Sequence, residues 1–576
     1  MKLKTSTFQR LTSHVSRLTL LLILLAFSNS YAAPYKEGEI IVKFKNNPSN
    51  QTVKIQTISK TLNIHVVKLP SNVKVEDALK KYRNDPNVEY AEPNYKVELA
   101  DTTPNDTYYS YQWGVVKVLA NKVWDTCKGS NNTIVAVIDT GIDLNHPDLI
   151  GNIWKNQGET DCNDGIDNDN NGYVDDCYGW NVVSNNNNVQ DDIGHGTFVA
   201  GIIGAVANNN EGIAGLNWYV KLMPVKIFTS NGGGGYISDI IKAIDYAVNN
   251  GAKIINASWG YPSSCTSTSP SQALYDAIKS AGEKGVLFVA AAGNHTCNND
   301  VYPTYPASYK LPNIISVAAS DKDDNLADFS NYGQNSVHLL APGVKIVSTY
   351  FDPNDDDDKS TYGTGSGTSA SAPFVSGAAA LLMSCLNNPT IYEIKERIVS
   401  SVDVFDSLST KAISSGRLNI YNALNNPLKP IRPTNLSVVL NNNNATLTWQ
   451  DNSEIETGYI VERKVNNSNW TVIARLPANS TSYTDNNSTS GTYYYRVKAV
   501  YNTNESFRSD EVSITVSNPN DNSGGSSGGS GGSSGGGGGG CSMVAGTSPI
   551  NLLYWLIVPV YVLIRRASSR NIKNVV

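Results

Sequence analysis

Ile134-Val135-Ala136-Val137-Ile138-Asp139-Thr140-Gly141-Ile142-Asp143 is the stretch on which the fold turns. It is an unbroken apolar run, rich in β-branched residues and too short for a helix, that ends in an acid and a glycine turn. A strand with one wet face alternates apolar and polar residues; one without alternation is buried on both faces, as in a parallel sheet covered by helices. Runs of the same kind recur at 222–225, Ile254–Ala257, 287–290 and 314–318, with helical stretches between them. This predicts an α/β domain over residues 102–426, built on a doubly wound, mostly parallel sheet. Such sheets place their sites at the carboxyl ends of the strands, which is where Asp139 falls.

Two further stretches carry chemistry of the same kind. Gly194-His195-Gly196-Thr197-Phe198-Val199-Ala200-Gly201 sets a histidine at the start of a small-residue helix. Gly367-Thr368-Ser369-Ala370-Ser371-Ala372-Pro373 sets a serine among residues small enough for close substrate approach, ahead of an apolar helix running to Met383. An acid, an imidazole and a hydroxyl are the groups acyl transfer requires: the imidazole takes the hydroxyl proton, and the acid fixes and stabilises the imidazole. Singly each has an ordinary explanation, since a strand-end Asp caps a turn and a Gly/Ser/Ala heptad packs a helix tightly. Together, in this order and with these flanks, the three segments resemble the subtilisin-like serine peptidases, the subtilases, whose chain order is the same. The resemblance implies that Asp139, His195 and Ser369 form a catalytic triad. It also implies that Asn294, in Val289-Ala290-Ala291-Ala292-Gly293-Asn294, donates to the oxyanion. Ser258-Trp259-Gly260 is similar to the family's substrate-binding strand, Gly234 lies in its facing segment, and Thr304 stands where the primary specificity pocket closes. An uncharged Thr304 offers no partner to a cationic side chain.

The resemblance extends to Ca²⁺. Asp106, Asp148, the backbone oxygens of Val206 and Ile213, and the side chains of Asn209 and Glu211 correspond to a calcium site of the thermitase branch, with Glu211 where a smaller side chain is usual. A second candidate is read from the residues themselves. Asp167-Asn168-Asp169-Asn170-Asn171-Gly172-Tyr173-Val174-Asp175-Asp176 fits the first half of an EF-hand loop, with ligand positions at Asp167, Asp169, Asn171 and Tyr173. Tyr178 stands where the closing glutamate belongs, so Asp175 or Asp176 is the expected substitute; a solvated Asn/Asp loop is the plain alternative. Of the chain's seven cysteines, Cys162 and Cys177 flank this loop, Cys265 and Cys297 form a second candidate pair, and Cys127 and Cys385 a third. Connectivity stays open at this point.

Lys2, Lys4, Arg10 and Arg17 precede an apolar run over 18–27 and a small-residue stretch ending near Ala33, the layout of a secretory signal peptide over 1–33. Residues 34–101 read as a small α+β unit: strands at 39–44 and 64–69, a helix over Val75–Arg83, and an extended tail at 87–95. This pattern resembles the subtilase propeptide, which implies an inhibitory segment acting on the enzyme that carries it.

Residues 430–517 change character to short alternating strands separated by Asn/Ser/Asp turns, a β-sandwich pattern. They resemble fibronectin type III, with Trp449 in the core and Tyr493 or Tyr495 at the tyrosine corner; a spacer role is the expectation. Residues 518–540 are a Gly/Ser linker. Residues 541–576 hold an apolar stretch at 550–564, short for a membrane span, followed by Arg565-Arg566. This tail resembles the GlyGly-CTERM sorting signal of Gram-negative bacteria, which implies transient inner-membrane anchoring, cleavage by a rhombosortase, and release to the cell surface or medium. A permanent anchor is the competing reading.

With 45 basic and 51 acidic residues the net charge is −6, which argues against a nucleic-acid partner. The expectation is a secreted, Ca²⁺-stabilised, monomeric endopeptidase made as an autoprocessed zymogen and acting on proteins or peptides. The rival is a non-catalytic surface-binding protein that keeps the peptidase fold as a scaffold.

Overall fold

The computed structural model describes residues 35–46, 54–95, 102–516 apart from 231, 356–358, 442–443 and 487–488, and the pair 573–574. The signal-peptide region, the Gly/Ser linker and the sorting tail therefore lie outside the described residues, the last except for 573–574.

The chain divides into two compact units, 1–100 and 101–576. In the first, β1 (Tyr35–Phe44), β2 (Ile55–Ser59), β3 (Ile64–Lys68) and β4 (Val88–Tyr95) form an antiparallel sheet of order β2-β3-β1-β4, and α1 (Val75–Arg83) packs on one face. Ile40, Val42 and Phe44 alternate inward to meet Ala78, Leu79 and Tyr82 of the helix. Glu76 and Asp77 in the first turn and Lys80, Lys81 and Arg83 in the last complement the helix dipole. The stretch expected to be an extended tail is strand β4, paired with β1 in the register Val42↔Ala91. The reason is burial: Val88, Ala91 and Pro93 turn inward along it.

In the second unit two short helices, Trp113–Lys117 and Ala120–Val123, precede a sheet that begins with β5 (Gly129–Asp139). In chain order follow β6 (Trp180–Asn181), α2 (His195–Gly204), β7 (Tyr219–Lys226), α3 (Ile237–Asn249), β8 (Ile254–Ala257), α4 (Gln272–Glu283), β9 (Leu287–Ala291), β10 (Ile314–Ser320) and β11 (Leu339–Pro342). The antiparallel pair β12 (Ile346–Phe351) and β13 (Ser360–Gly365), then α5 (Thr368–Cys385), α6 (Ile391–Ser400), β14 (Asp403–Val404), β15 (Gly416–Arg417) and α7 (Ile420–Asn425) complete the domain. The sheet has nine strands in the order β14-β15-β11-β10-β9-β8-β5-β7-β6, parallel from β11 through β6. The absence of alternation in β5 has the consequence expected of it. Val135 and Val137 pack against α2 and α5 on one face, and Ala136 and Ile138 against α3 and α4 on the other.

The chain leaves β5 toward β7 on one side and returns with β8 on the other. The crevice at the carboxyl end of β5 is therefore a topological switch point, and Asp139 is the last residue of that strand. Helix α5 is long and apolar enough to cross a membrane, yet it runs through the core of this domain, buried from Thr368 to Leu382 apart from Ser369.

Residues Thr434 to Val516 form two sheets around one core. β16 (Thr434–Asn441), β17 (Asn444–Gln450) and β20 (Ser482–Asp485) face β19 (Thr471–Pro477), β18 (Gly458–Val465), β21 (Gly491–Tyr501) and β23 (Val512–Val516), with β22 (Asn504–Glu505) short at an edge. Trp449 from the first sheet packs with Tyr459, Tyr495 and Val497 from the second. Glu396 of α6, fully buried, accepts from the backbone N–H groups of Ile431 and Glu454, so this module is joined to the α/β domain by buried hydrogen bonds as well as by the chain. Among the described residues three disulfides form, Cys127–Cys385, Cys162–Cys177 and Cys265–Cys297.

Candidate active site

Asp139 and His195 meet at the switch point. The imidazole Nδ1 lies 2.7 Å from Asp139 Oδ1, and the same oxygen accepts from the Thr140 N–H at 2.8 Å. Asp139 is 1% exposed, whereas the His195 side chain is 38% exposed and opens to the crevice. The approach of the two segments needs glycine, because a Cβ on Gly196 would lie 2.0 Å from the Gly141 carbonyl oxygen. Burial works to lower the His195 pKa; the charge and hydrogen bond of Asp139, with the charge of Asp191 behind them, outweigh it and hold the pKa above its ordinary value.

Asp191 is a residue the sequence reading does not single out. It is buried, and its carboxylate accepts from Thr140 Oγ1, Thr197 Oγ1 and the N–H groups of Ile193, Gly194 and Thr197 at 2.7–3.0 Å. Burial pushes its carboxyl upward, but a group that receives only donors is an ionised acceptor. It thus satisfies N–H groups at the start of α2 and ties that helix to the turn after Asp139. An Asp four residues ahead of a helix-starting histidine is a capping signal that the sequence does contain. Lys226 from β7 adds a second tie, donating to the Thr140 carbonyl and to Asp192 Oδ1, the latter at 2.6 Å.

Ser369 sits in the first turn of α5. Pro373 lies four residues on and has no N–H, so the Ser369 carbonyl lacks its helical donor. Ser258 supplies one: its Oγ donates to Ser369 O at 2.9 Å. Ser258 itself receives from Asn256 Nδ2, and Trp259 Nε1 donates to the Ile138 carbonyl at 2.8 Å. The segment after β8 is thereby fixed to both the serine helix and the aspartate strand.

Asn294 is oriented by Thr368, whose N–H and Oγ1 both donate to Asn294 Oδ1 at 2.8 Å. That leaves Nδ2, which has no acceptor among the described residues, facing the space beside Gly367. A Cβ at Gly367 would lie 2.8 Å from Ser369 Oγ and 3.4 Å from Asn294 Nδ2, so glycine keeps that space open.

Gly260 and Thr304 bound a common wall, since a Gly260 Cβ would meet Thr304 Cγ2 at 3.1 Å. The flanking Tyr261 and Tyr305 pair through two backbone hydrogen bonds of 2.8 and 2.7 Å. Thr304 Oγ1 is held by Asn299 and Asn331. Gly234, at φ +90°, folds back on Phe228 in an antiparallel bridge.

Asp106 and Asp148 are buried. Asp148 accepts from Asn209 Nδ2 and the Ile213 N–H, each at 2.8 Å, and Asp106 from the Asn208 N–H. Burial pushes the Asp148 carboxyl up to about 7, and the charges of Asp106 and Glu211 add to it. Val206 donates its N–H to the Asp148 carbonyl, leaving its own carbonyl oxygen outside that bond.

In the insertion between Asp139 and His195, Glu159, Asp169 and Asp176 each present a carboxylate oxygen within 4.8 Å of the others. The EF-hand register read from sequence does not describe this cluster. Asp167, its first position, is turned to the N–H groups of Asn171 and Gly172, and Asp175 to that of Gly165. Asn171 Oδ1 accepts from the Tyr173 N–H.

Comparison with known proteins shows the family of the chain. The subtilase family pattern matches residues 130–427, more than half of the chain, and that of a fervidolysin N-terminal prodomain matches residues 25–94. A thermophilic serine proteinase from Bacillus sp. (strain AK1) is 39% identical over 399 residues, covering 68% of this chain and 88% of that protein. Thermitase from Thermoactinomyces vulgaris is 36% identical over 323 residues, 56% of this chain and 99% of thermitase. Among solved structures, one described as proteases from Pseudoalteromonas arctica PAMC 21717 is 27% identical with a TM-score of 0.46, over 56% of this chain and 99% of that one.

Proposed function

We infer, for a chain that belongs to the subtilase family and is a subtilisin-type serine endopeptidase with an N-terminal prodomain, that Ser369 is its nucleophile, His195 its general base and acid, and Asp139 the carboxylate that holds the imidazole. The observation that carries this assignment is the 2.7 Å contact between His195 Nδ1 and Asp139 Oδ1 at the switch point. With Nδ1 donating to the carboxylate, Nε2 is the nitrogen left to take the serine proton and return it to the leaving amine. Asn294 Nδ2, aimed by Thr368 into the space beside Gly367, donates to the oxyanion as the tetrahedral intermediate forms. The segments at 258–260 and 232–235 take an extended peptide by backbone pairing. The neutral wall of Gly260 and Thr304 favours uncharged side chains in the primary pocket.

The prodomain makes the chain a zymogen, and the enzyme removes that segment itself, giving a mature N-terminus between residues 96 and 106. Export follows from the signal-peptide layout and from three disulfides, which persist in oxidising compartments. The C-terminal sandwich is of the fibronectin type III kind: its sheets pair as β16-β17-β20 and β19-β18-β21-β23. Tyr493 makes the tyrosine corner, its OH bonding the Thr489 carbonyl at 2.9 Å, whereas Tyr495 donates to Asp485. The terminal tail serves as a GlyGly-CTERM sorting signal cut by a rhombosortase, supported by its Gly run, short apolar stretch and Arg565-Arg566.

Asp106, Asp148, Asn209, Glu211 and the carbonyls of Val206 and Ile213 hold a structural Ca²⁺. The donor set is all oxygen, and the ion compensates buried carboxylates that have no Lys or Arg ion pair among the described residues. Casein hydrolysis and N-terminal sequencing of wild type and Ser369→Ala, in a host lacking other proteases, test the assignment. Wild type should hydrolyse and mature, while the variant should do neither; a matured or active Ser369→Ala enzyme would remove Ser369 from the role.

A further inference from the structure

The loop that carries Asn294 is held in its shape from outside. Gly293 has φ +112° and Thr296 φ +58°. A β-branched residue in the left-handed region is strained and persists only where its surroundings fix it. The segment 328–331, between β10 and β11, supplies the contacts. Thr296 donates its N–H to the Phe329 carbonyl at 2.9 Å and its Oγ1 to the Asp328 carbonyl at 2.7 Å.

Asn331, 1% exposed, makes the larger share of them. Its N–H donates to the Gly293 carbonyl at 2.8 Å, and its Oδ1 accepts from the N–H groups of His295 and Cys297, each at 2.9 Å. Its Nδ2 donates to Asn299 Oδ1 at 3.0 Å and to Thr304 Oγ1 at 3.1 Å. Asn299 closes the ring: it accepts from Thr304 Oγ1 at 3.3 Å and donates from Nδ2 to the Ala292 carbonyl at 2.9 Å. A side-chain amide has two donors and two acceptor positions, and here all four are used. A carboxylate lacks the donors and a hydroxyl has only one, so neither could replace it. A Cβ at Gly293 would lie 2.5 Å from Asn331 Nδ2, so glycine is also what lets the two segments approach.

We propose that Asn331 is a positioning residue for the reaction, holding the backbone on both sides of Asn294 so that Asn294 Nδ2 meets the oxyanion. The inference rests on the oxyanion reading of Asn294. Thr368 fixes the acceptor end of the Asn294 amide from the serine helix, and Asn331 fixes the main chain that carries it. The oxyanion exists only as the tetrahedral intermediate forms, so a displaced loop lowers kcat. The Nδ2 contact with Thr304 adds a separate link to the wall of the primary pocket, which is expressed in KM.

Hydrolysis of a chromogenic peptide by the mature enzyme tests this, with kcat taken per active site by titration so that loss of folded protein is not counted. Wild type, Asn331→Leu, Asn294→Ala and the double variant form the cycle. Asn331→Leu removes both ends of the amide at similar volume and should lower kcat about 10–100-fold, the scale of a misplaced catalytic group. In the Asn294→Ala background the same change should cost about twofold or less, because the group it positions is already gone. A change in KM reads the Thr304 contact and should be equal in both backgrounds. If Asn331→Leu does not fold, Asn331→Ser, which is smaller and keeps an accepting oxygen, carries the same cycle with a smaller loss. An unchanged kcat overturns the proposal, and so does an equal loss of kcat in both backgrounds. An Asn294→Ala enzyme with the wild-type kcat overturns the oxyanion reading itself, and the role of Asn331 falls with it.

Discussion

The pair at Asp139 and the cluster at Glu159 are both built on buried carboxylates, and each has an oxygen with no hydrogen-bond partner among the described residues, Asp139 Oδ2 and Glu159 Oε2. They differ in what faces the charge. At Asp139 the fold supplies a titratable base, His195, and locks it with Asp191. At Glu159 it supplies only amides and a phenol. The first centre faces a group that can take up a proton, and the second faces only neutral donors. The difference teaches that burial of acids alone does not mark catalysis; the identity of the facing group decides the role.

The largest expected effect breaks the first centre. Asp139→Asn should lower kcat about 10⁴-fold, because the amide favours the wrong imidazole tautomer and cannot stabilise its cation. Asn294→Ala should cost about 10²–10³-fold, with little change in KM, because that donor acts on the intermediate. Steady-state hydrolysis of a chromogenic peptide reads both. A loss at Asn294 confined to KM would place it in ground-state binding instead.

Asp191 sharpens the comparison with a smaller effect. His195 must be neutral to act as a base, so activity falls as pH drops through its raised pKa. Asp191→Asn removes a negative charge behind the imidazole. The His195 pKa should then fall, and the acid limb of kcat/KM should move to lower pH by roughly 0.5–1 unit. A purely structural role would lower kcat and leave the limb where it is.

Much of this was legible in the chain. The unalternated apolar runs give the two-faced sheet, and the motifs around Asp139, His195 and Ser369 point to the proposed site, because each motif is local and its chemistry needs particular side chains. The cysteines pair as the three candidate pairs anticipate. What local reading cannot deliver is long-range hydrogen bonding. Ser258 answers for a donor that Pro373 lacks, an interaction between residues 111 positions apart. Strand β4 reads as a tail until β1 is there to pair with it. Glu159 escapes because an EF-hand register looks only after the loop, whereas the fold brings this carboxylate to Asp169 and Asp176 from before it.

The central claim is that one serine, held where α5 begins, performs the chemistry. Mass spectrometry of the mature enzyme after reaction with an excess of a fluorophosphonate tests it most directly. The account predicts a single covalent adduct, on Ser369, forming as activity is lost, and no adduct on the Asp139→Asn enzyme over the same interval. Full inactivation with the adduct on another residue, or an active enzyme fully labelled at Ser369, would contradict it.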